Sequence, residues 1–73
     1  MELQLQIRMN EKLFLRNPEQ TELGRNIILH GIQLIHQKGF ESFTFKKLAE
    51  DIGTTEAGIY RYFETKHRLL MYI

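Results

Sequence analysis

Residues 54–66, TTEAGIYRYFETK, bring threonine hydroxyls, two carboxylates, two phenols, a guanidinium and an ammonium into one short stretch. Hydroxyls and phenols donate single hydrogen bonds, a guanidinium donates through a rigid fork, and a carboxylate accepts. Such a set can grip an oxyanion or the polar edge of a heterocycle. It holds no nucleophile activated by a base. Elsewhere, Ser42 stands in a loop without a nucleophile elbow, and the chain has no cysteine. His30, His36 and His67 lack the i, i+4 spacing of helical metal ligands, and no acid is placed convincingly beside any of them. The expectation is a binding protein with no enzymatic activity, no metal and no cofactor.

The stretch must be held by helices. Thr54 or Thr55 can cap a short helix in which Ile59 and Phe63 form an inward i, i+4 pair. Thr55, Glu56, Gly58, Tyr60, Arg61 and Tyr62 are then left for the outer and flanking faces. Gly58 costs this helix about 1 kcal/mol against alanine, a cost that close approach of the backbone to a partner would offset. Upstream, Thr44 can cap FKKLAEDI, whose Phe45, Leu48, Ala49 and Ile52 fall at i, i+3, i+4 and i+7, and Gly53 closes it. Downstream, Thr65 opens KHRLLMYI, an apolar run that stops at the last residue and reads as a truncated fourth helix.

A longer first helix precedes these. Asn17, Pro18 and Gln20 supply a cap, a first-position proline and a capping-box glutamine, with Thr21 as a second possible start. Leu23, Ile27, Ile28, Ile32, Leu34 and Ile35 follow at helical spacing to Lys38 and Gly39, giving about 20 residues. Gly31 inside it implies that another helix crosses close by. GFESFTF then turns the chain, with Phe40 and Phe43 folded inward. Before all of this, Leu3, Leu5, Ile7 and Met9 alternate with polar residues, and Leu13 and Leu15 repeat the pattern. Period two predicts an extended, β-like arm over residues 1–16. A helical alternative would place Leu3, Ile7 and Phe14 on one face.

Composition sets the outer limits. With 73 residues, one proline, five glycines and 42% hydrophobic content, the chain has room for a single small globular domain and no large cleft. Ten basic residues against nine acidic ones leave +1, too little to indicate nucleic acid by charge alone. The N-terminus lacks the apolar core of a signal peptide, and no stretch approaches a membrane span. A cytoplasmic protein without membrane contact is expected.

An eight-residue amphipathic helix, a tight glycine turn and a second short helix form a helix-turn-helix over residues 44–63. The whole of 17–73 then reads as an all-α, homeodomain-like three-helix bundle with the start of a fourth helix. At this point FTFKKLAEDIGTTEAGIYRYFETKHRLL resembles the DNA-binding end of the tetracycline-repressor (TetR) family of bacterial transcriptional regulators. Thr44, Leu48, Ala49, Gly53, Thr55, Ala57, Ile59, Tyr60, Tyr62, Phe63, Thr65 and Lys66 fit that family's pattern in type and spacing. The likeness extends over residues 20–73.

The resemblance implies a sequence-specific regulator, a repressor in the type member, that sets its third helix in the major groove of double-stranded operator DNA and acts as a homodimer. Thr44 and Thr55 would meet phosphates, Lys46 a phosphate or base edge, Tyr60 and Tyr62 phosphates through their hydroxyls, and Lys66 a phosphate. Glu56, Ala57, Gly58 and Arg61 fall where relatives read bases. Glu56 departs from the basic or amide residue many relatives carry, so it is either an acceptor for a cytosine amine or simply a favourable acid in the first turn of a helix. A small-molecule effector would act only through a C-terminal domain missing from this chain. The alternative is a helical protein–protein module without DNA binding, assembled through the N-terminal arm.

Overall fold

The computed structural model describes residues 13–73, and the alternating segment at 1–12 lies outside the described residues. Those described fold into four α-helices, α1 (Glu22–Lys38), α2 (Phe45–Ile52), α3 (Glu56–Tyr60) and α4 (Lys66–Tyr72), preceded by a 3-10 turn at Pro18–Gln20. No strand occurs among the described residues. Leu13 and Leu15, expected in an extended arm, lie in a bent segment whose Leu15 amide donates to the Tyr62 carbonyl oxygen at 2.6 Å.

All four α-helices begin at a threonine. Thr21, Thr44, Thr55 and Thr65 each hold extended backbone and accept, through Oγ1, from the amide three residues on. Each satisfies one amide that the first helical turn leaves without a partner.

The first helix starts later than its proline suggests. Asn17 Oδ1 accepts from the Glu19 amide at 2.9 Å and Pro18 takes the first position, but this makes only the 3-10 turn. Thr21 then leaves helical backbone, at φ −135° and ψ 159°, and caps α1 itself. Two consecutive start signals serve two separate elements, so α1 has 17 residues. Gly24 shows why the chain must break there. A β-carbon at this position would stand 2.2 Å from the Pro18 carbonyl oxygen and 2.5 Å from its α-carbon. The absent side chain lets the turn fold flat against α1.

The core is built from one face of each helix and the loop before α2. Ile27 from α1, Phe43 and Phe45, Leu48 and Ala49 from α2, Ile59, Phe63 and Leu69 are all at most 5% exposed. Phe43 stacks with Phe40 and meets Phe45 edge-on, so the GFESFTF turn closes this end as expected. Gly31 faces side chains of the last segment: a β-carbon there would lie 3.4 Å from Leu69 Cδ2 and 3.9 Å from Ile73 Cδ1. No buried side-chain nitrogen or oxygen among the described residues lacks a hydrogen-bond partner.

Two polar links fasten the periphery. His30 Nδ1 lies 2.6 Å from Asp51 Oδ2, joining α1 to α2, so one histidine does have an acid partner that linear spacing concealed. The Tyr72 hydroxyl donates to Glu19 Oε2 at 2.8 Å, joining the end of α4 to the 3-10 turn. Desolvation, and then the accepting carboxylate, raise the Tyr72 pKa above its ordinary 10.0.

Candidate nucleic-acid interface

The turn between α2 and α3 depends on Gly53. Its φ of 91° and ψ of 34° are left-handed, a conformation that costs roughly 1 kcal/mol or more for a residue with a β-carbon. In that conformation the Gly53 and Thr54 amides both donate to the Ala49 carbonyl oxygen, at 2.8 and 2.9 Å. The chain therefore turns within three residues and delivers Thr55 as the cap of α3. Thr55 Oγ1 accepts from the Gly58 amide at 3.1 Å.

What α3 then presents is decided by burial. Gly58 and Ile59 are buried, whereas Glu56, Ala57, Tyr60 and Arg61 are exposed. After Tyr60 the backbone tightens, with the Tyr62 and Phe63 amides both donating to the Ile59 carbonyl oxygen. The outer face thus carries an acid, a methyl group, a phenol and a guanidinium. Neither the Glu56 carboxylate nor the Arg61 guanidinium has a hydrogen-bond or ion-pair partner among the described residues.

Tyr60 is 48% exposed, with its ring edge-on to Phe45 at 4.9 Å. That contact holds the phenol near the start of α2, where Thr44 and Lys46 are both exposed. Thr44 Oγ1 accepts from the Lys47 amide at 3.1 Å. A hydroxyl that accepts one such bond keeps its proton to donate, so the caps of α2 and α3 can each still donate outward. Lys47 is turned away, its Nζ donating to the Ser42 carbonyl oxygen at 2.9 Å.

Three of the expected site residues stand elsewhere. Gly58 does not face outward: a β-carbon on it would meet Thr54 Oγ1 at 3.1 Å, Thr55 Oγ1 at 3.5 Å and Leu23 Cδ2 at 3.7 Å. Its missing side chain leaves room for the Thr54 hydroxyl beside its own cap, with Leu23 of α1 at ordinary contact distance. Tyr62 is 2% exposed. Its hydroxyl is 2.6 Å from Thr21 Oγ1, and the Arg16 guanidinium lies over its ring at 5.5 Å. With the Leu15 amide on its carbonyl oxygen, Tyr62 fastens the N-terminal segment and the start of α1 to the end of α3. Lys66 directs its ammonium inward, donating to the Phe40 and Phe43 carbonyl oxygens at 3.0 and 2.9 Å and lying 4.6 Å from the Phe40 ring centroid.

Sequence reasoning overlooked the partners of these three. Thr21 was legible only as a cap, and nothing local in the sequence links it to a phenol 41 positions away. The carbonyl oxygens that hold Lys66 leave no mark in the sequence at all.

A family model described as bacterial regulatory proteins, tetR family, matches residues 27–73, well over half of the chain. No curated protein and no solved structure matches it. The matched span begins within α1 and contains α2, α3 and α4 in full, so it includes every exposed residue just described.

Proposed function

Since this chain belongs to the tetR family of bacterial regulatory proteins, with the helix-turn-helix DNA-binding domain that the family carries, we propose that residues 17–73 recognise an operator with α3 lying in the major groove. One observation carries the reading. On α3 and its C-terminal cap the residues able to pack are buried, and Glu56, Ala57, Tyr60 and the capping Arg61 are exposed together, with both charged groups unpartnered among the described residues. A helix about 10–12 Å across fits a groove about 12 Å wide when its outer side chains are short or planar.

Roles follow from placement. Thr44 and Thr55 donate hydroxyl protons to phosphates on either side of the groove, Tyr60 donates its phenol proton to a phosphate, and Lys46 supplies a charge beside Thr44. Arg61 reads a base edge, with Ala57 leaving space or meeting a thymine methyl group. Gly58, Tyr62 and Lys66 serve the interface from behind, leaving room for the hydroxyls at the start of α3 and holding the segments before α2 and after α3. The protein acts as a homodimeric transcriptional repressor in the bacterial cytoplasm, under an effector bound outside these residues, with half-sites about 34–36 Å apart and related by twofold symmetry. No helix among the described residues is long and apolar enough to cross a membrane.

Selection of bound duplexes from a random library tests this, followed by titration at several salt concentrations. Log K is expected to fall against log salt with a slope of about −0.9 per phosphate neutralised. Absence of salt-dependent duplex binding would overturn the proposal in favour of a protein-binding module. Repeating the selection with Arg61→Ala is expected to relax one position of each half-site, at a cost of about 1–3 kcal/mol there. Uniform weakening across all sequences would make Arg61 a phosphate contact.

A further inference from the structure

Arg16 precedes the span that the family model matches, which begins at residue 27, yet the fold fixes it against the end of α3. The Leu15 amide donates to the Tyr62 carbonyl oxygen at 2.6 Å, and the Arg16 guanidinium lies over the Tyr62 ring at 5.5 Å. Tyr62 is itself held, its hydroxyl 2.6 Å from Thr21 Oγ1 at the start of α1. Backbone and side chain of this segment are therefore tied to one residue, which follows the exposed Arg61.

Arg16 keeps its donors to offer. A guanidinium over an aromatic ring presents its face to that ring, and its N–H edge remains free to grip an oxyanion through two parallel bonds. Arg16 is exposed, and no described residue accepts a hydrogen bond or forms an ion pair with it. Other cations are engaged by the protein itself. Lys47 and Lys66 donate to the carbonyl oxygens of Ser42, Phe40 and Phe43, and Arg25 donates to that of Glu19. With a net charge of +1, binding to a duplex has to draw on a few well-placed cations.

Dimensions decide what Arg16 meets. The five residues of α3 span about 7.5 Å at a rise of about 1.5 Å per residue, against a groove about 12 Å wide. With that helix seated in the groove, a group fixed just past its last turn stands at the groove wall, where sugars and phosphates are presented and base edges are not.

We infer that Arg16 is a backbone anchor for the operator, donating to a phosphate beside the bases that α3 reads, and that Tyr62 holds it in place for that contact. This rests on the operator-binding reading above and extends the interface to a segment in front of α1.

The experiment titrates the full chain and its Arg16→Gln and Arg16→Lys variants with the selected duplex at several salt concentrations. Arg16→Gln is expected to bind roughly 10-fold more weakly, with a salt slope shallower by about 0.9 and an unchanged consensus. Arg16→Lys keeps the charge and should keep the slope. Neutral methylphosphonate linkages, placed one at a time, locate the contact: one position should weaken the unaltered chain and leave Arg16→Gln unaffected. Weaker binding by Arg16→Gln at an unchanged slope, with no such position, would make Arg16 a cover for the Tyr62 ring and overturn the inference. Affinity equal to that of the unaltered chain would overturn it as well. In both cases the operator-binding reading survives through the salt-dependent binding of the unaltered chain, whereas failure of that chain to bind any duplex would overturn both.

Discussion

Phe63→Ala unfolds most of the domain at room temperature. Phe63 is fully buried, its ring lies 5.6 Å from that of Tyr72, and it stands where the chain passes from α3 to α4. Removing a buried phenylalanine ring costs about 3–5 kcal/mol through lost transfer energy and the cavity left behind. Stabilities of about 0.05–0.15 kcal/mol per residue, applied to 73 residues, leave little beyond that loss, and a domain this small sits toward the lower end. Circular dichroism in a urea titration provides the check: the folded baseline should be lost or confined to the lowest urea concentrations. A midpoint equal to that of the unaltered chain would mean that the cavity collapses and that the ring is not a keystone. Phe63→Leu, which keeps most of the volume, should retain a cooperative transition.

Gly24→Ala is expected to destabilise the domain by about 1–3 kcal/mol, against the ordinary gain of about 1 kcal/mol for replacing glycine by alanine in a helix. The sign is decided by what the new β-carbon meets. At Gly24 the obstacles are backbone atoms of Pro18, the nearest at 2.2 Å, and they can yield only if the 3-10 turn lifts away from α1. Gly31→Ala makes the internal control, because the nearest atom there is the mobile tip of Leu69 at 3.4 Å. Thermal melts of the two variants should therefore shift in different directions, or at least by very different amounts. A raised melting temperature for Gly24→Ala would show that Pro18 is not seated on α1 as described.

These two glycines show what a sequence reveals and what it hides. Gly31 announces a neighbour because it interrupts a long periodic run, and the side-chain tips of Leu69 and Ile73 are what it meets. Gly24 sits near the end of a helix whose start is ambiguous between Pro18 and Thr21, so its neighbour cannot be named before the turn is known. The same contrast runs through the candidate interface. Thr44, Gly53 and the spacing of Phe45, Leu48 and Ala49 are local signals, and α2 with its turn is found where they place it. The face of α3 is not local. Five residues make about one and a half turns, too few for periodicity to separate inside from outside, and the backbone then tightens before Phe63.

Gly58 was therefore expected against an external partner when its neighbours are Leu23 and two threonine hydroxyls. Tyr62 misleads for a chemical reason: a phenol is equally at home on a wet rim and in a core that offers its hydroxyl one partner. Thr21 is that partner. Lys66 likewise fits a surface role by residue type, and only the fold shows two carbonyl oxygens converging on it. For Glu56, Ala57, Tyr60 and Arg61 the expectation and the exposed face coincide, because each is too polar or too small to be claimed by the core.

The four threonine caps have a kinetic consequence. Helices α2, α3 and α4 have eight, five and seven residues, all below the roughly 12–15 at which an isolated helix is even marginal in water. None can wait, formed, for its partners. A hydroxyl that marks the first turn by a bond three residues away lets each boundary be chosen locally, before distant contacts exist. The search left to the chain is the docking of a few short rods that follow one another in sequence. Helical topologies of this sort fold in microseconds to milliseconds, and relaxation after a temperature jump should fall in that window. A chain that folds this fast exposes its apolar faces only briefly, which matters for a domain with so small a margin of stability.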